Sequence, residues 1–207
     1  MPKAFTDDER EAIRARLRLA ARELVPTLGV RRTRVSELAR AAGISKGAFY
    51  LFYASKEALL VEVLLEDEAA ARAEVTATLD GVDRQEAIAT LVHLWFSAVQ
   101  RYPVLQVLAQ PGEMDALLGV LPPETLAEAL ADDDRFFLGL LAPLQAEGWL
   151  DGVDLATVVR LPRVAFALHQ SRALVGEDRF EAVSALLAES LALRLARRSP
   201  DDAEQTP

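Results

Sequence analysis

The sequence predicts an all-α protein of about nine helices, and three observations predict it. Apolar residues in each long segment recur at three- and four-residue intervals, which stacks them on one side of a helix. No strand-like alternation of useful length interrupts them, and no internal repeat is evident. Ser, Thr or Asp precede the periodic runs and Gly or Pro follow them, the residues that start and stop helices.

Residues 1–6 read as a flexible arm. Thr6 caps a helix whose first turn, Asp7-Asp8-Glu9, suits the positive end of the helix dipole. Its stripe of Ile13, Leu17, Ala21, Leu24 and Val25 runs to about Leu28 and ends at Gly29. Thr33 caps a short helix over 34–41, in which Val35, Leu38 and Ala39 share a face. Ala42-Gly43-Ile44 is a turn, and Gly43 supplies the left-handed backbone of a tight corner. Ser45 caps a helix from Lys46 to about Phe52, and Ser55 caps the next, which runs from Lys56 toward Leu79 without Gly or Pro. Asp83 caps a helix over 84–101, halted at Pro103, and a short piece reaches Ala109 before Pro111-Gly112. Residues 113–121 fit either a short helix or a loop. A helix follows from Pro122-Pro123 to about Gln145, then another from Asp154 to about Leu174 with Pro162 inside it. The last runs from Asp178 to near Arg198, and the polar tail 199–207 reads as disordered.

The stretch 33–60 carries the chemistry. Two short helices joined by a glycine turn, with a long helix directly behind, form a helix-turn-helix. In such a unit the start of the second helix meets base edges in a major groove about 12 Å wide. Here that start is Ser45-Lys46-Gly47-Ala48, one cation among very small side chains, which lets the backbone come close. Tyr50 and Tyr53 offer hydroxyls to phosphate, and Lys56 stands at a helix N-terminus, where phosphates are favoured. Phe49 and Phe52 are expected to pack inward, and Arg31, Arg32 and Arg34 to reach phosphates. Arg14, Arg16, Arg18 and Arg22 lie off the apolar stripe; steering toward DNA is one reading, and a solvated face is the expectation for most of them.

Charge supports that reading. The chain is net −9, but residues 1–60 hold 12 Lys/Arg against 7 Asp/Glu, and the remainder holds 11 against 25. A basic module on an acidic body meets DNA with one end. An apolar fraction of 51% with 27% charged residues is that of an ordinary globular protein. Without Cys there is no disulfide framework and no thiolate metal site, so a reducing cytoplasm is expected. The first ten residues contain no apolar signal segment, and no run approaches the roughly 18 apolar residues of a membrane span. A soluble cytoplasmic protein with no cofactor and no membrane partner is the expectation.

The segment AAGISKGAFYLFYASKEALL resembles the signature of the TetR (tetracycline-repressor-like) family of bacterial transcription regulators. The likeness covers about the first 65 residues. Two positions depart from the pattern: Phe52 and Tyr53 stand where that family often has His or Tyr and then Phe, and Ala48 replaces a common Thr or Ser. Either Phe52 or Tyr53 is therefore the aromatic turned to phosphate. The resemblance implies an N-terminal DNA-binding domain, 1–55, and an effector-binding and dimerisation domain, 56–198. It implies double-stranded DNA as partner, a palindromic operator, contacted by Thr33, Arg34, Ser45, Lys46, Gly47, Ala48, Tyr50, Tyr53 and Lys56. It also implies a homodimer through the last two helices. There Phe180, Val183, Leu187, Leu191 and Leu195 follow helical spacing beside a thin strip of Ala182, Ala185 and Ala188. Two copies would span half-sites about 34–36 Å apart or a multiple of that.

A small-molecule effector is the third implied partner. His93 with Phe96, and Phe166 with His169, each place an imidazole beside a ring at i, i+3. With Phe137, Arg163 and Gln170 they make the candidate ligand site, an apolar pocket with few polar anchors for a hydrophobic or aromatic compound. Pro162 inside its helix would free a carbonyl for that ligand. The implied mechanism is repression relieved by a population shift, carried through the helix that begins at Lys56. The alternative is a DNA-organising or partner-binding helix-turn-helix protein with a filled core and no effector. Catalysis is disfavoured: neither His lies in an HExxH pattern, and no phosphate-binding glycine loop or GxSxG occurs. Asp132-Asp133-Asp134 point about 100° apart on a helix and read as a solvated face.

Overall fold

The computed structural model describes residues 5–197. Among them the chain is all-α, with twelve helical segments and no extended strand. In order these are α1 (Asp7–Leu28), α2 (Val35–Ala41), α3 (Lys46–Phe49), α4 (Lys56–Leu79), α5 (Arg84–Arg101) and α6 (Pro103–Leu108). Then come α7 (Glu113–Leu118), α8 (Pro123–Ala146), α9 (Leu155–Val158), α10 (Leu161–Gln170), α11 (Arg172–Val175) and α12 (Phe180–Leu195). None is long and apolar enough to cross a membrane. The tail 199–207 and most of the N-terminal arm lie outside the described residues.

The helices begin where short polar side chains satisfy orphan N–H groups. Thr6 Oγ1 accepts from Glu9 N while Glu9 Oε2 accepts from Thr6 N, a reciprocal capping box at 3.2 and 2.9 Å. Ser45, Ser55, Asp83 and Asp154 accept from the first turns of α3, α4, α5 and α9.

Three boundaries differ from the periodicity, and one that it left open is settled. Thr33 does not cap α2: its hydroxyl donates back to Gly29 O at 2.7 Å, and the Arg34 N–H is satisfied by Glu37 Oε2. The second helix of the motif closes at Phe49, with a turn carrying Tyr50 to Phe52. Residues 113–118 are helical. The segment 154–174 is three helices, because Pro162 is the second residue of α10 rather than an interior one. A proline there needs no N–H partner and starts a helix instead of bending it, so it frees no mid-helix carbonyl.

Two compact units result. The first comprises residues 5–70 and 102–121, the second 71–101 and 122–197. α4 runs through the division, and the expected boundary after residue 55 falls inside the first unit. In the first, α1 packs on α2 and α6, and α2 on α3, around Leu17, Leu38, Phe49 and Leu59. In the second, α5 is flanked by α12 and α10. Ile88, Leu91, Val92, Trp95 and Phe96 of α5 share a core with Leu141, Ala165, Ala188, Ala192 and Leu195. The small Ala188 and Ala192 let α12 lie close to α5.

Candidate nucleic-acid interface and candidate effector site

The turn of the first unit is built from the inside out. Leu38, Ala39 and Ala42 are buried, and Gly43 takes φ +74° with nothing near a would-be Cβ. Phe49, wholly buried, anchors α3 and meets Tyr50 edge-on and Tyr53 at 5.9 Å. That anchor turns Ser45, Lys46 and Gly47 to solvent, with Ala48 half-buried and Tyr50 half-exposed at 52%. Ser45 Oγ is the nearest atom to a would-be Cβ on Gly47, at 3.9 Å, so the face at Gly47 is open to close approach. Arg31, Arg32 and Arg34 are exposed beside it, with Arg32 Nε donating to Leu28 O.

Other expected contacts face inward. Lys56 Nζ donates to the carbonyls of Val30, Thr33 and Arg31 at 2.6, 2.9 and 3.3 Å, pinning the loop before α2 rather than waiting for phosphate. Thr33 is buried. Tyr53 is also buried and its hydroxyl donates to Glu62 Oε1 at 3.0 Å; burial, then that carboxylate, pushes the phenol above its ordinary value. Phe52 is buried against Phe5 and under Arg10, so neither aromatic faces a phosphate and Tyr50 is the one that does not fold in.

The α1 arginines form no solvated face. Arg10, Arg14 and Arg16 donate to Leu51 O, Phe52 O and Ala42 O, carbonyls at the ends of the motif's helices. Arg14 and Arg18 pair with Glu62, Arg18 also with Glu11 and Glu66, and Arg22 with Glu66 and Asp67. This ladder joins α1 to α4. Spacing of three or four on both helices was visible in the sequence, but the partner helix was not.

In the second unit the expected ligand residues separate. His93 and Gln170 are exposed, while Phe96 packs in the core and Phe166 is half-buried. His169 is 6% exposed; its Nδ1 bonds Ala165 O at 3.0 Å, its ring meets Phe180 edge-on, and its Nε2 has no partner. Arg163 reaches α8, donating to Leu130 O and to Asp134 Oδ1 at 2.6 and 2.7 Å. Phe137 of α8 meets Trp95 edge-on at 5.6 Å. Trp95 was not among the expected ligand residues; its indole N–H is buried without a partner.

The model of bacterial regulatory proteins of the tetR family matches residues 17–63. A curated relative, the HTH-type transcriptional regulator UidR of Escherichia coli K12, is 29% identical over 106 residues. That match covers 49% of this chain and 53% of the relative, about half the length of each. A TetR-family regulator from Pectobacterium atrosepticum superposes with a TM-score of 0.72 at 20% identity, covering 94% of this chain and 100% of that one. Thermus thermophilus FadR, a TetR-family repressor in complex with lauroyl-CoA, gives 0.63 at 26% identity, covering 90% and 97%. Residues 17–63 thus match the tetR family, and the chain shares the fold of the TetR-family regulators it superposes on.

The matched residues include all of α2 and α3, the helix-turn-helix of that family model. The residues expected at a dimer interface divide. Phe180 is 0% exposed, sealed by His169 and by Arg172 over its ring, so it is core. Val183 and Leu191 are half-buried and Leu187 is exposed. Leu186 and, at 75% exposure, Leu193 share an outer edge of α12 with Ala182, while Val164 is exposed on α10 and Leu174 on α11.

Proposed function

We propose that the protein is a homodimeric transcriptional repressor that reads a palindromic operator with α3 and is released by a small hydrophobic or aromatic effector. The observation that carries this is the exposed Ser45-Lys46-Gly47 turn, set on the wholly buried Phe49. A single short helix makes too few base contacts for specificity, so two copies are needed. The apolar outer edges of α10 to α12, with Leu174, Leu186 and Leu193 exposed, suit a second copy of the same chain.

Lys46 adds charge at the groove, Tyr50 a hydroxyl at its rim, and Arg31, Arg32 and Arg34 attraction to the phosphates. In this reading Thr33, Tyr53 and Lys56 act indirectly, by fixing the loop and turn that present those groups. The effector favours a different separation of the two reading helices, through α4, whose residues enter both units. Only its differential affinity for the two forms moves the balance.

The test uses full-length protein and DNA selected from a random pool. At fixed salt Lys46→Ala weakens operator binding about tenfold, on the order of one charge-assisted contact. The variant sediments as the same dimer. Unchanged affinity, or a monomer in both preparations, overturns the proposal.

A further inference from the structure

We propose that the interior of the second unit takes an uncharged small molecule through one oxygen acceptor, held by the indole N–H of Trp95. This names the chemical class of the effector and rests on the effector reading above.

Two buried donors of the second unit bond nothing. Trp95 is 5% exposed and its Nε1 lies without a partner. Arg163 Nε is buried in the same condition, although the terminal nitrogen Nη2 of that guanidinium bonds Leu130 O and Asp134. Native interiors rarely leave such donors open, and a site that receives a ligand is one reason to do so. Both side chains touch α8. Phe137 meets the Trp95 ring and Asp134 holds Arg163, and residues three apart on a helix are neighbours at about 5–6 Å. On the adjoining face Asp133 pairs with Arg72 of α4 at 2.7 Å, and that guanidinium lies 5.3 Å from the Phe136 ring centre.

Charge then sets the class. Arg163 is matched by Asp134 and Arg72 by Asp133, so each cation already has its counter-ion. Arg160 also approaches Asp134, at 3.9 Å, but is well exposed and screened by solvent. A charged ligand would enter without a counter-charge and lose its hydration. An uncharged one carrying a carbonyl oxygen satisfies the open indole N–H and lays its apolar body on the adjoining aromatic rings. An aryl ketone has this chemistry.

The probes are acetophenone and ethylbenzene, of nearly equal shape but differing in the oxygen. The full-length protein labelled with nitrogen-15 gives one indole N–H signal for each of Trp95 and Trp149, and Trp95→Phe assigns them by loss. Should that variant not fold, Trp149→Phe makes the assignment instead. Acetophenone is expected to move the Trp95 signal downfield and to bind about tenfold tighter than ethylbenzene, the worth of one hydrogen bond. Trp95→Phe, read by saturation transfer to the probe, brings the two within about twofold. A Trp95 signal that neither probe moves, or that both move alike, overturns the inference. Operator binding by the same preparation separates the two readings. A shift that leaves the operator bound supports the site and removes the effector role; no shift with intact operator binding removes the site alone.

Discussion

The two units use polar groups in opposite ways. Between α1 and α4 in the first unit, Glu62 alone takes Arg14, Arg18 and the Tyr53 hydroxyl, while Glu66 and Asp67 take Arg18 and Arg22. In the second, Trp95 Nε1, Arg163 Nε and His169 Nε2 are buried without partners, and no such atom occurs in the first among the described residues. A module that must present α3 at one fixed angle gains from a saturated network, since every alternative packing breaks several bonds. A module that answers a ligand gains from unfinished bonds, because the ligand finishes them. The second unit also holds ion pairs, Arg72 with Asp133 and Arg163 with Asp134, but its open atoms lie beside its apolar core.

The sharpest way to break that comparison is at Phe180. It is wholly buried against His169 and under Arg172. Phe180→Ala is expected to cost about 3–5 kcal/mol in urea unfolding, the range for truncating a buried ring. That loss should persist in 1 M NaCl. Glu62→Ala comes next. Its carboxylate is about one-third exposed, so the full penalty of a buried pair is discounted to about 1–3 kcal/mol. High salt should shrink that difference, because the remaining arginines are less costly when screened. Equal salt response in the two variants would erase the distinction between the ion-pair ladder of the first unit and the buried ring of the second.

The sequence showed the first unit better than the second. Caps, the glycine turn and the inward Phe49 and Phe52 are local features, settled within a few residues, and they placed α1 to α4 to within a turn. Local reading also placed the exposed face of Ser45, Lys46 and Gly47. It failed for Lys56 and Tyr53, whose partners are the carbonyls of residues 30–33 and the Glu62 carboxylate one helix later. A polar side chain looks available until the structure supplies its acceptor. The second unit was harder because its candidate site is assembled from α5, α8 and α10, far apart in sequence. His93 with Phe96 satisfied the spacing rule, yet His93 is exposed, while Trp95 between them faces the interior. Pro162 misled because its position in a helix depends on where the helix starts.

The smallest effect isolates one bond of the saturated network. Tyr53→Phe keeps the ring against Phe49 and removes only the hydroxyl that Glu62 accepts, for about 1 kcal/mol near neutrality. Its signature lies in pH. The folded phenol titrates above its ordinary value of 10.0, because burial and the adjacent carboxylate disfavour the phenolate. Below that value both states hold the proton and the stabilisation is whole. As pH rises past 10 the unfolded chain releases its proton while the folded chain keeps it, so stability falls until the folded phenol also ionises. The wild type should therefore lose stability faster than Tyr53→Phe above pH 10, measured by urea unfolding from pH 8 to 11. Parallel curves over that interval would mean that Tyr53 is not held by Glu62, and the ladder would lose the rung nearest the DNA-facing turn.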